Sequence, residues 1–125
     1  AGGAVFTDAA YMKWGVDLTP SLFVMARVTS RPTPTRALVD AGRKAMNCEA
    51  TMPVVMNVPS CKLKATHAEH GLLDLEPGVP LAIGDKIDFM VGYGDNTVYL
   101  HDELYGIRRG VVEAVWDVQG RGKLR

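Results

Sequence analysis

The sequence predicts an all-β fold: a single antiparallel β-barrel or sandwich of about eight short strands, with at most short helical turns. Two patterns in the 125-residue chain indicate this fold. Apolar and polar residues alternate over short runs, as expected of strands with one buried face. Clusters of Gly, Pro, Asp and Ser separate these runs at the spacing of a sandwich or barrel.

The first third of the chain predicts a connector followed by two strands. Residues 1–8 have a short strand-like pattern, and residues 9–20 allow one helical turn at most. Residues 22–31 alternate strongly and predict a strand. Two prolines in residues 30–34 predict a turn, and residues 36–40 predict a second strand before a glycine-containing turn of helix.

The rest of the chain predicts six more strands. Their runs lie at residues 53–58, 62–67, 72–75, 86–91, 104–108 and 111–118. Arg109-Gly110 joins the last two runs as a tight turn, which indicates a hairpin. Alternation places Val111, Glu113, Val115 and Asp117 on one side of the last strand and Val112, Ala114, Trp116 and Val118 on the other.

A polar loop at residues 92–97 interrupts the series of strands. It combines two glycines, a phenol, a carboxylate and an amide within six positions. Glycine allows the backbone to approach another group closely, and the polar side chains are placed to face a ligand. In an extended loop, Tyr93 and Asp95 are expected to share a face, because side chains two residues apart do so.

The composition predicts one globular domain and excludes several functional classes. The chain has 14 Lys and Arg against 14 Asp and Glu, so its formal net charge is zero. This balance argues against a nucleic acid or an anionic membrane as the partner. No apolar run is long enough to span a bilayer, and the start of the chain lacks the pattern of a signal peptide.

The two cysteines, Cys48 and Cys61, are expected to be reduced. Without a secretion signal, two thiols are more typical of a cytoplasmic protein than of a disulfide-stabilised one, and a bridge between them is the alternative. Cys61 lacks a nearby activating motif, so no nucleophile is predicted there. The expected compartment is the cytoplasm.

Several separated motifs resemble the carboxy-terminal end of the D-threonine aldolase and D-serine dehydratase family, which are pyridoxal-phosphate enzymes of the alanine-racemase fold type. The motifs are Val28-Thr-Ser-Arg-Pro32, residues 39–45, Glu69-His70-Gly71, Thr97-Val-Tyr-Leu-His-Asp102 and Val115-Trp-Asp-Val with Gly120-Arg121-Gly122. The resemblance implies that residues 1–20 are the remnant of the last barrel strand and a connector, with Asp8 and Tyr11 matching that strand's end. Residues 21–125 are then the carboxy-terminal β domain.

The resemblance also bears on the cofactor. In the family the Schiff-base lysine lies in the barrel, ahead of this chain, and none of the six lysines present lies in a recognisable site. Lys44 is expected to be a solvated surface residue. Gly2 and Gly3 match a remnant of a phosphate-side loop, with an ordinary turn as the alternative. No cofactor is expected in the isolated chain, whereas full-length relatives imply pyridoxal phosphate and Mn, Mg or Zn.

The metal site implied by the resemblance lies in the polar loop. Family members carry a His-x-Asp or His-x-Cys pair there, and the metal acts as a Lewis acid on the substrate hydroxyl. In this chain Tyr93 stands at the His position and Asp95 at the Asp or Cys position. Asp95 retains a hard oxygen ligand, but a neutral phenol is a poor one. The alternative is a glycine-rich loop with a surface Asp.

The three histidines are expected to have structural roles. His67 and His70 are three residues apart, and in an extended segment they point to opposite faces, so they are not expected to chelate an ion. Glu69-His70 is expected to form a hydrogen-bonded turn. His101 is expected to be held by a backbone partner, with an orienting role for the loop as the alternative.

Two functions from different classes are consistent with the sequence. In the first, the chain is the carboxy-terminal β domain of a lyase acting on β-hydroxy-D-amino acids, inactive by itself because the lysine-bearing barrel is absent. In the second, it is a stand-alone binding or oligomerisation module. The expected partners are a pyridoxal-phosphate-binding barrel or further copies of the chain, with no nucleic acid and no membrane. Strands containing Val24, Met25, Met56 and Met90 are expected to supply an exposed apolar face.

Overall fold

The computed structural model of the chain describes residues 2–123. It confirms the all-β prediction: within these residues, the helices have only four or five residues each. The strands are β1 Phe23–Thr33, β2 Arg36–Val39, β3 Val54–Val55, β4 Cys61–Thr66, β5 Gly71–Leu75, β6 Lys86–Met90, β7 Glu103–Arg108 and β8 Val111–Asp117. The helices are α1 Gly3–Phe6, α2 Ala9–Lys13 and α3 Asp95–Val98.

Six of the strands form one antiparallel sheet that curls into a nearly closed barrel. The strand order is β3-β6-β1-β2-β5-β4, and the two end strands β3 and β4 contact each other. Alternate residues point inward, as the pattern of β1 predicts, because side chains two apart share a face of a strand. The core side chains from the strands include Val24, Ala26, Val28, Ala37, Val39, Leu63, Leu73, Leu75, Ile87 and Phe89.

Strand β1 continues further than predicted. The prolines at residues 30–34 led us to expect a turn from Ser30, but the strand continues through Pro32 to Thr33. Its pairing with β2 shifts register between Val28 and Ser30 and again between Ser30 and Thr33. Such bulges leave residues outside the ladder, so a proline without an N–H is tolerated there.

Strand β3 is shorter than predicted. Residues 53–58 were expected to form a strand, but only Val54–Val55 pair with β6. Beyond them the side chain of Asn57 replaces the backbone ladder. Its amide nitrogen donates to the carbonyl of Lys86 at 3.0 Å, and its oxygen accepts from the backbone N–H of Asp88 at 2.9 Å. A side-chain amide carries the donor and acceptor needed for both bonds.

The predicted strand-like pattern of residues 1–8 is wrong for the described part of that segment, and Ala1 lies outside the described residues. Gly3–Phe6 form a helical turn, closed by a 3.1 Å bond from the N–H of Thr7 to the carbonyl of Gly3. Ser21 then donates from its N–H and its hydroxyl to the carbonyl of Phe6. A helical turn meets the hydrogen-bond needs of this backbone without a neighbouring strand.

The last two strands form a separate hairpin, as predicted. The turn residues Arg109 and Gly110 both have positive φ, at 51° and 78°, which is the geometry of a type I′ turn. Within residues 2–123, the hairpin forms a sheet of its own, separate from the six strands of the barrel. Its register shifts between Gly106 and Ile107, and neither face of β8 is buried.

The expected exposed apolar face is only partly correct. Met25 and Met56 are exposed, but Val24 and Met90 are buried. Val24 points inward from β1, so it belongs to the barrel core. The hairpin also exposes apolar side chains, namely Tyr105, Ile107, Val111, Val112, Val115 and Trp116.

None of the described helices could cross a membrane, since each is far shorter than a bilayer-spanning helix.

Candidate functional site

The polar loop at residues 92–97 is not extended, contrary to the prediction. Gly94 has helical backbone angles, and its carbonyl accepts from the N–H groups of Thr97 and Val98, both at 2.9 Å. The buried hydroxyl of Thr97 also donates to the carbonyl of Tyr93 at 2.8 Å. These bonds close a helical turn at Asp95–Val98, because a serine or threonine hydroxyl can satisfy nearby backbone groups.

Tyr93 and Asp95 nevertheless meet, as the sequence predicts. The Tyr93 hydroxyl donates a hydrogen bond of 3.1 Å to Oδ2 of Asp95. The turn of the chain, rather than a period of two, brings the side chains together. The hydrogen bond and negative charge of Asp95 raise the pKa of Tyr93 above its usual value, so the phenol is neutral at physiological pH.

Gly92 allows a close approach to the protein's own backbone. A Cβ at this position would collide with the carbonyl of Thr51 and would crowd the carbonyl of Asn47. The backbone N–H of Asn47 donates to the Thr97 hydroxyl at 3.2 Å. The glycine therefore serves the packing of residues 47–51 against the loop, and this accounts for it without a ligand.

A buried carboxylate fixes the amino-terminal segment to this loop. Oδ1 of Asp8 accepts from the N–H of Tyr11 at 2.9 Å, which caps helix α2, and Oδ2 accepts from the N–H of Gly94 at 2.5 Å. The N–H groups of Ala9 and Ala10 donate to the carbonyls of Val91 and Gly92. Asp8 matches the family pattern, and an Asp before a helical run is also a recognised N-cap signal that could have identified this role.

Three aromatic rings cover the same region. Tyr11 and Tyr93 stack with centroids 6.5 Å apart, and Trp14 meets them edge-on at 5.3 and 6.1 Å. A Cβ on Gly3 would collide with the ring of Tyr11. The packing of Tyr11 therefore accounts for Gly3. Among residues 4–123, no atom lies within 4 Å of a Cβ built on Gly2. A phosphate role for these two glycines stays a prediction.

The described residues do not fit pyridoxal phosphate. The cofactor requires a lysine placed to form a Schiff base, beside groups that hold its phosphate. Lys44 is exposed, as predicted, and its ammonium pairs with Glu69 at 2.6 Å on the surface. Gly3 lies against the ring of Tyr11. We therefore assign no cofactor step to this chain.

The described residues do not fit a divalent metal ion either. In residues 2–123, no group of three or more His, Cys, Asp or Glu side chains is arranged to hold an ion. Zn, Mn and Mg sites draw on several deprotonated or carbonyl ligands. At the loop, the neutral hydroxyl of Tyr93 donates to the carboxylate that an ion would need. Tyr93 and Asp95 form a hydrogen-bonded pair, and their metal role stays a prediction.

The remaining candidate residues have structural partners. The Nε2–H of His101 donates to the carbonyl of Ala45 at 2.7 Å, as expected of a histidine held by the backbone. The N–H of His67 donates to the carbonyl of His70, closing the predicted turn. Asp102 pairs with Arg121 on the surface at 2.9 Å. These contacts leave the loop region and its aromatic cover as the candidate site.

Both cysteines are free thiols, as the sequence predicts. Cys61 is buried in the barrel wall at the start of β4, and burial raises its pKa to about 11. Burial also raises the pKa of Cys48. Raised pKa values disfavour the thiolate, so neither thiol is an activated nucleophile.

Comparison with known proteins gives one consistent result. Residues 21–107 match the family described as Putative serine dehydratase domain. The chain is 36% identical to a D-threonine aldolase of Arthrobacter sp. over 127 residues, which covers 98% of this chain and 34% of that protein. It is 38% identical to a 3-hydroxy-D-aspartate aldolase of Paracoccus denitrificans over 103 residues, which covers 82% of this chain and 26% of that protein.

Solved structures show the same relationship. A D-threonine aldolase from Filomicrobium marinum superimposes with a TM-score of 0.90 at 31% identity, covering 98% of this chain and 36% of that structure. A D-threo-3-hydroxyaspartate dehydratase from Delftia sp. superimposes with a TM-score of 0.76 at 20% identity, which shows a shared fold. The chain thus spans about a third of the length of these two structures.

Proposed function

The chain belongs to the family described as Putative serine dehydratase domain, and on that basis we propose that it is the carboxy-terminal β domain of a lyase acting on β-hydroxy-D-amino acids. The observation that carries this proposal is the similarity to D-threonine aldolase, in sequence and in fold, over 98% of the chain. The match covers only about a third of the relatives. The remainder of such a protein is therefore where we place the catalytic machinery.

The cofactors of the proposed lyase are pyridoxal phosphate, held by parts of the protein outside this chain, and a divalent ion such as Mn, Mg or Zn. The surface ion pair of Lys44 and the packing of Gly3 against Tyr11 support the placement of pyridoxal phosphate elsewhere. By itself the chain is inactive. In this proposal residues 1–20 are the end of the cofactor-binding barrel with its connector, and residues 21–125 are the β domain.

The exposed hairpin supports the proposal that this chain packs against a partner domain. Tyr105, Ile107, Val112 and Val115 share one face of it, since Tyr105 pairs with Val115 and Ile107 with Val112. Alternation had placed Val112 and Val115 on opposite sides of β8, and the register shift between Gly106 and Ile107 corrects this. Each of these side chains is more than half exposed. A two-stranded hairpin alone is marginally stable in water, and a contiguous exposed apolar patch marks an interaction surface. We assign this face to the lysine-bearing barrel domain, in the same chain or in a partner subunit.

The same hairpin favours a second candidate function, a stand-alone binding or oligomerisation module. In a homodimer, the apolar hairpin face of one copy would pack against the same face of the other copy. A homo-oligomer is then expected without any barrel. In either case we place the protein in the cytoplasm, and the two free cysteines Cys48 and Cys61 support a reducing compartment.

The test is complementation of a truncated relative. The Arthrobacter D-threonine aldolase, cut back to the part outside the match, is expressed with and without this chain, and pyridoxal-phosphate absorbance and D-threonine cleavage are measured. We expect an aldimine band and turnover only when both parts are present. The double variant Ile107→Glu, Val115→Glu should abolish the complex, whereas Lys62→Glu on the exposed side of β4 should not.

Two outcomes would contradict the first proposal. One is turnover by this chain alone, with borohydride fixing the cofactor to one of its lysines. The other is failure of complementation while sedimentation shows that this chain self-associates through Ile107 and Val115. The second outcome would establish the oligomerisation module instead.

A further inference from the structure

The aromatic cluster formed by Tyr11, Trp14 and Tyr93 has no role in the function proposed above. The centroids of Tyr11 and Tyr93 are 6.5 Å apart, with an angle of 19° between the two ring planes. The ring of Trp14 lies across both tyrosines, at interplanar angles of 63° to Tyr11 and 70° to Tyr93. Two nearly parallel rings with a third set across them resemble the aromatic cages that bind quaternary ammonium groups.

The aromatic cluster is accessible to solvent. The side chain of Trp14 is 64% exposed, and Tyr11 and Tyr93 are each partly buried. None of the three rings belongs to the hydrophobic core of the barrel. Large aromatic side chains on a surface are typical anchors of binding sites. The cluster therefore presents aromatic surface that a ligand can reach.

Hydrogen bonds fix the backbone that carries these rings. The carboxylate of Asp8 accepts from the N–H of Tyr11 at 2.9 Å and from the N–H of Gly94, the residue after Tyr93, at 2.5 Å. The N–H of Trp14 donates to the carbonyl of Ala10 at 3.0 Å, at the end of helix α2. Binding would therefore order few further groups, which lowers its entropic cost.

Two carboxylates give this region a negative charge. Oδ2 of Asp95 lies 3.1 Å from the hydroxyl of Tyr93, and the buried Asp8 caps the helix that carries Tyr11. In the part of the chain that the structure describes, neither carboxylate forms an ion pair with a Lys, Arg or His side chain. The negative charge beside the rings therefore favours a cationic ligand over a neutral or anionic one.

We propose that the aromatic cluster binds a quaternary ammonium group, such as that of choline. A ring attracts a cation placed over its face within about 6 Å of the centroid, and the short distances between the three centroids allow one cation to approach all of them. A primary ammonium has three N–H donors to satisfy, whereas a quaternary ammonium has none. Both oxygens of Asp8 already accept backbone N–H groups, and Asp95 accepts from Tyr93. The site therefore suits a cation that needs no acceptor.

The experiment is a titration with choline chloride, followed by the fluorescence of Trp14. The chain has two tryptophans, so the variant Trp116→Phe makes Trp14 the only reporter. We expect a saturable change that sodium chloride at the same ionic strength does not produce. The neutral isostere 3,3-dimethylbutan-1-ol should bind about tenfold more weakly, because it has the shape of choline without the charge. Ethanolamine, a primary ammonium, should also bind more weakly than choline.

Substitutions separate the contribution of the ring from that of the charge, with binding followed by NMR at the amides of residues 92–95. Trp14→Leu keeps an apolar side chain but removes the ring, so it should weaken choline binding about tenfold and leave the alcohol little affected. Asp95→Asn should weaken choline alone. The matched control is Trp116→Leu, because Trp116 is similarly exposed, at 57%, but has no ring of the described residues stacked on it. This control should bind choline as the wild type does.

The proposal is overturned if choline gives no saturable response, or if ethanolamine or the neutral alcohol binds as tightly as choline. Equal affinity of the alcohol would show that the rings are only an apolar surface. The titration contains no pyridoxal phosphate and no barrel domain. Failure of complementation therefore leaves the choline result intact, and absence of choline binding leaves the lyase proposal intact.

Discussion

The buried carboxylate of Asp8 accepts a 2.5 Å hydrogen bond from the backbone N–H of Gly94, which lies 86 residues later in the chain. Its other oxygen accepts from the N–H of Tyr11 and caps helix α2. One side chain therefore positions the short amino-terminal helix and the loop that carries Tyr93 and Asp95. The arrangement of the candidate site depends on this residue.

Replacing Asp8 should destabilise the fold. We expect Asp8→Ala to lower the free energy of unfolding by about 2–4 kcal/mol, from about 1 kcal/mol for the lost cap and about 1–3 kcal/mol for an unsatisfied buried N–H. Asp8→Asn should lose less, because its amide oxygen still accepts one bond. Urea denaturation measures the difference. The exposed Asp17 provides the control, since Asp17→Ala should change stability by less than about 0.5 kcal/mol. Equal losses for the two alanine variants would contradict this account.

Substituting histidine for Tyr93 should create affinity for Mn. The wild type should bind Mn weakly, because the phenol is neutral and already bonded to Asp95. The Tyr93→His variant places an imidazole beside the carboxylate of Asp95. The carboxylate of Asp8 is also near this position, since its charge adds to that of Asp95 in raising the pKa of Tyr93. Isothermal titration calorimetry with Mn should therefore show a measurable gain in affinity for the variant.

The hairpin contains a matched control for that experiment. Tyr105 donates to Glu103 at 2.5 Å, two residues away, as Tyr93 does to Asp95. Tyr105→His creates the same pairing of imidazole and carboxylate without the additional carboxylate of Asp8, so it should gain less. Tight Mn binding by the wild type, or equal behaviour of the two variants, would refute the prediction.

The hydroxyl of Tyr93 should titrate at a higher pH than an ordinary tyrosine. The hydrogen bond and charge of Asp95 raise its pKa, so the contribution of this pair to stability is present below the unfolded-state pKa of 10.0 and is lost as the pH rises through the folded value. We expect Asp95→Asn to lower the pKa of Tyr93, as followed by NMR of the ring. Glu103→Gln should lower the pKa of Tyr105 instead and leave Tyr93 unchanged. A Tyr93 titration that does not respond to Asp95→Asn would rule out the pair.

Cys61 should be slow to alkylate in the folded chain. Burial raises its pKa from 9.0 to about 11, so near pH 7 its thiolate fraction falls about a hundredfold. Because the folded-state pKa is the higher one, the neutral thiol contributes to the free energy of unfolding below pH 9. That contribution is lost as the pH rises through about 11. Iodoacetamide labelling, read by mass spectrometry with and without urea, measures the difference. Labelling of folded Cys61 at the unfolded rate would contradict the prediction.

The sequence by itself determined most of the strands and the hairpin turn. Alternation located seven of the eight strands closely, since the period of two is a local property of each segment. Arg109-Gly110 could be identified because two adjacent positive φ angles favour a turn of this composition. The motifs around residues 28–32 and 97–102 indicated the family, and the match at residues 21–107 confirms it.

Only the tertiary structure decided where side chains and bulges replace the regular backbone hydrogen bonds between strands. It also decided which residues meet at the candidate site. Bulges let β1 continue through Pro32, and the amide of Asn57 ends β3 early. The bond between Asp8 and Gly94, and the stacking of Tyr11 with Tyr93, join residues that are distant in the chain. No periodicity within one segment reports such contacts, because they depend on how separate segments pack and on which backbone groups that packing leaves without partners.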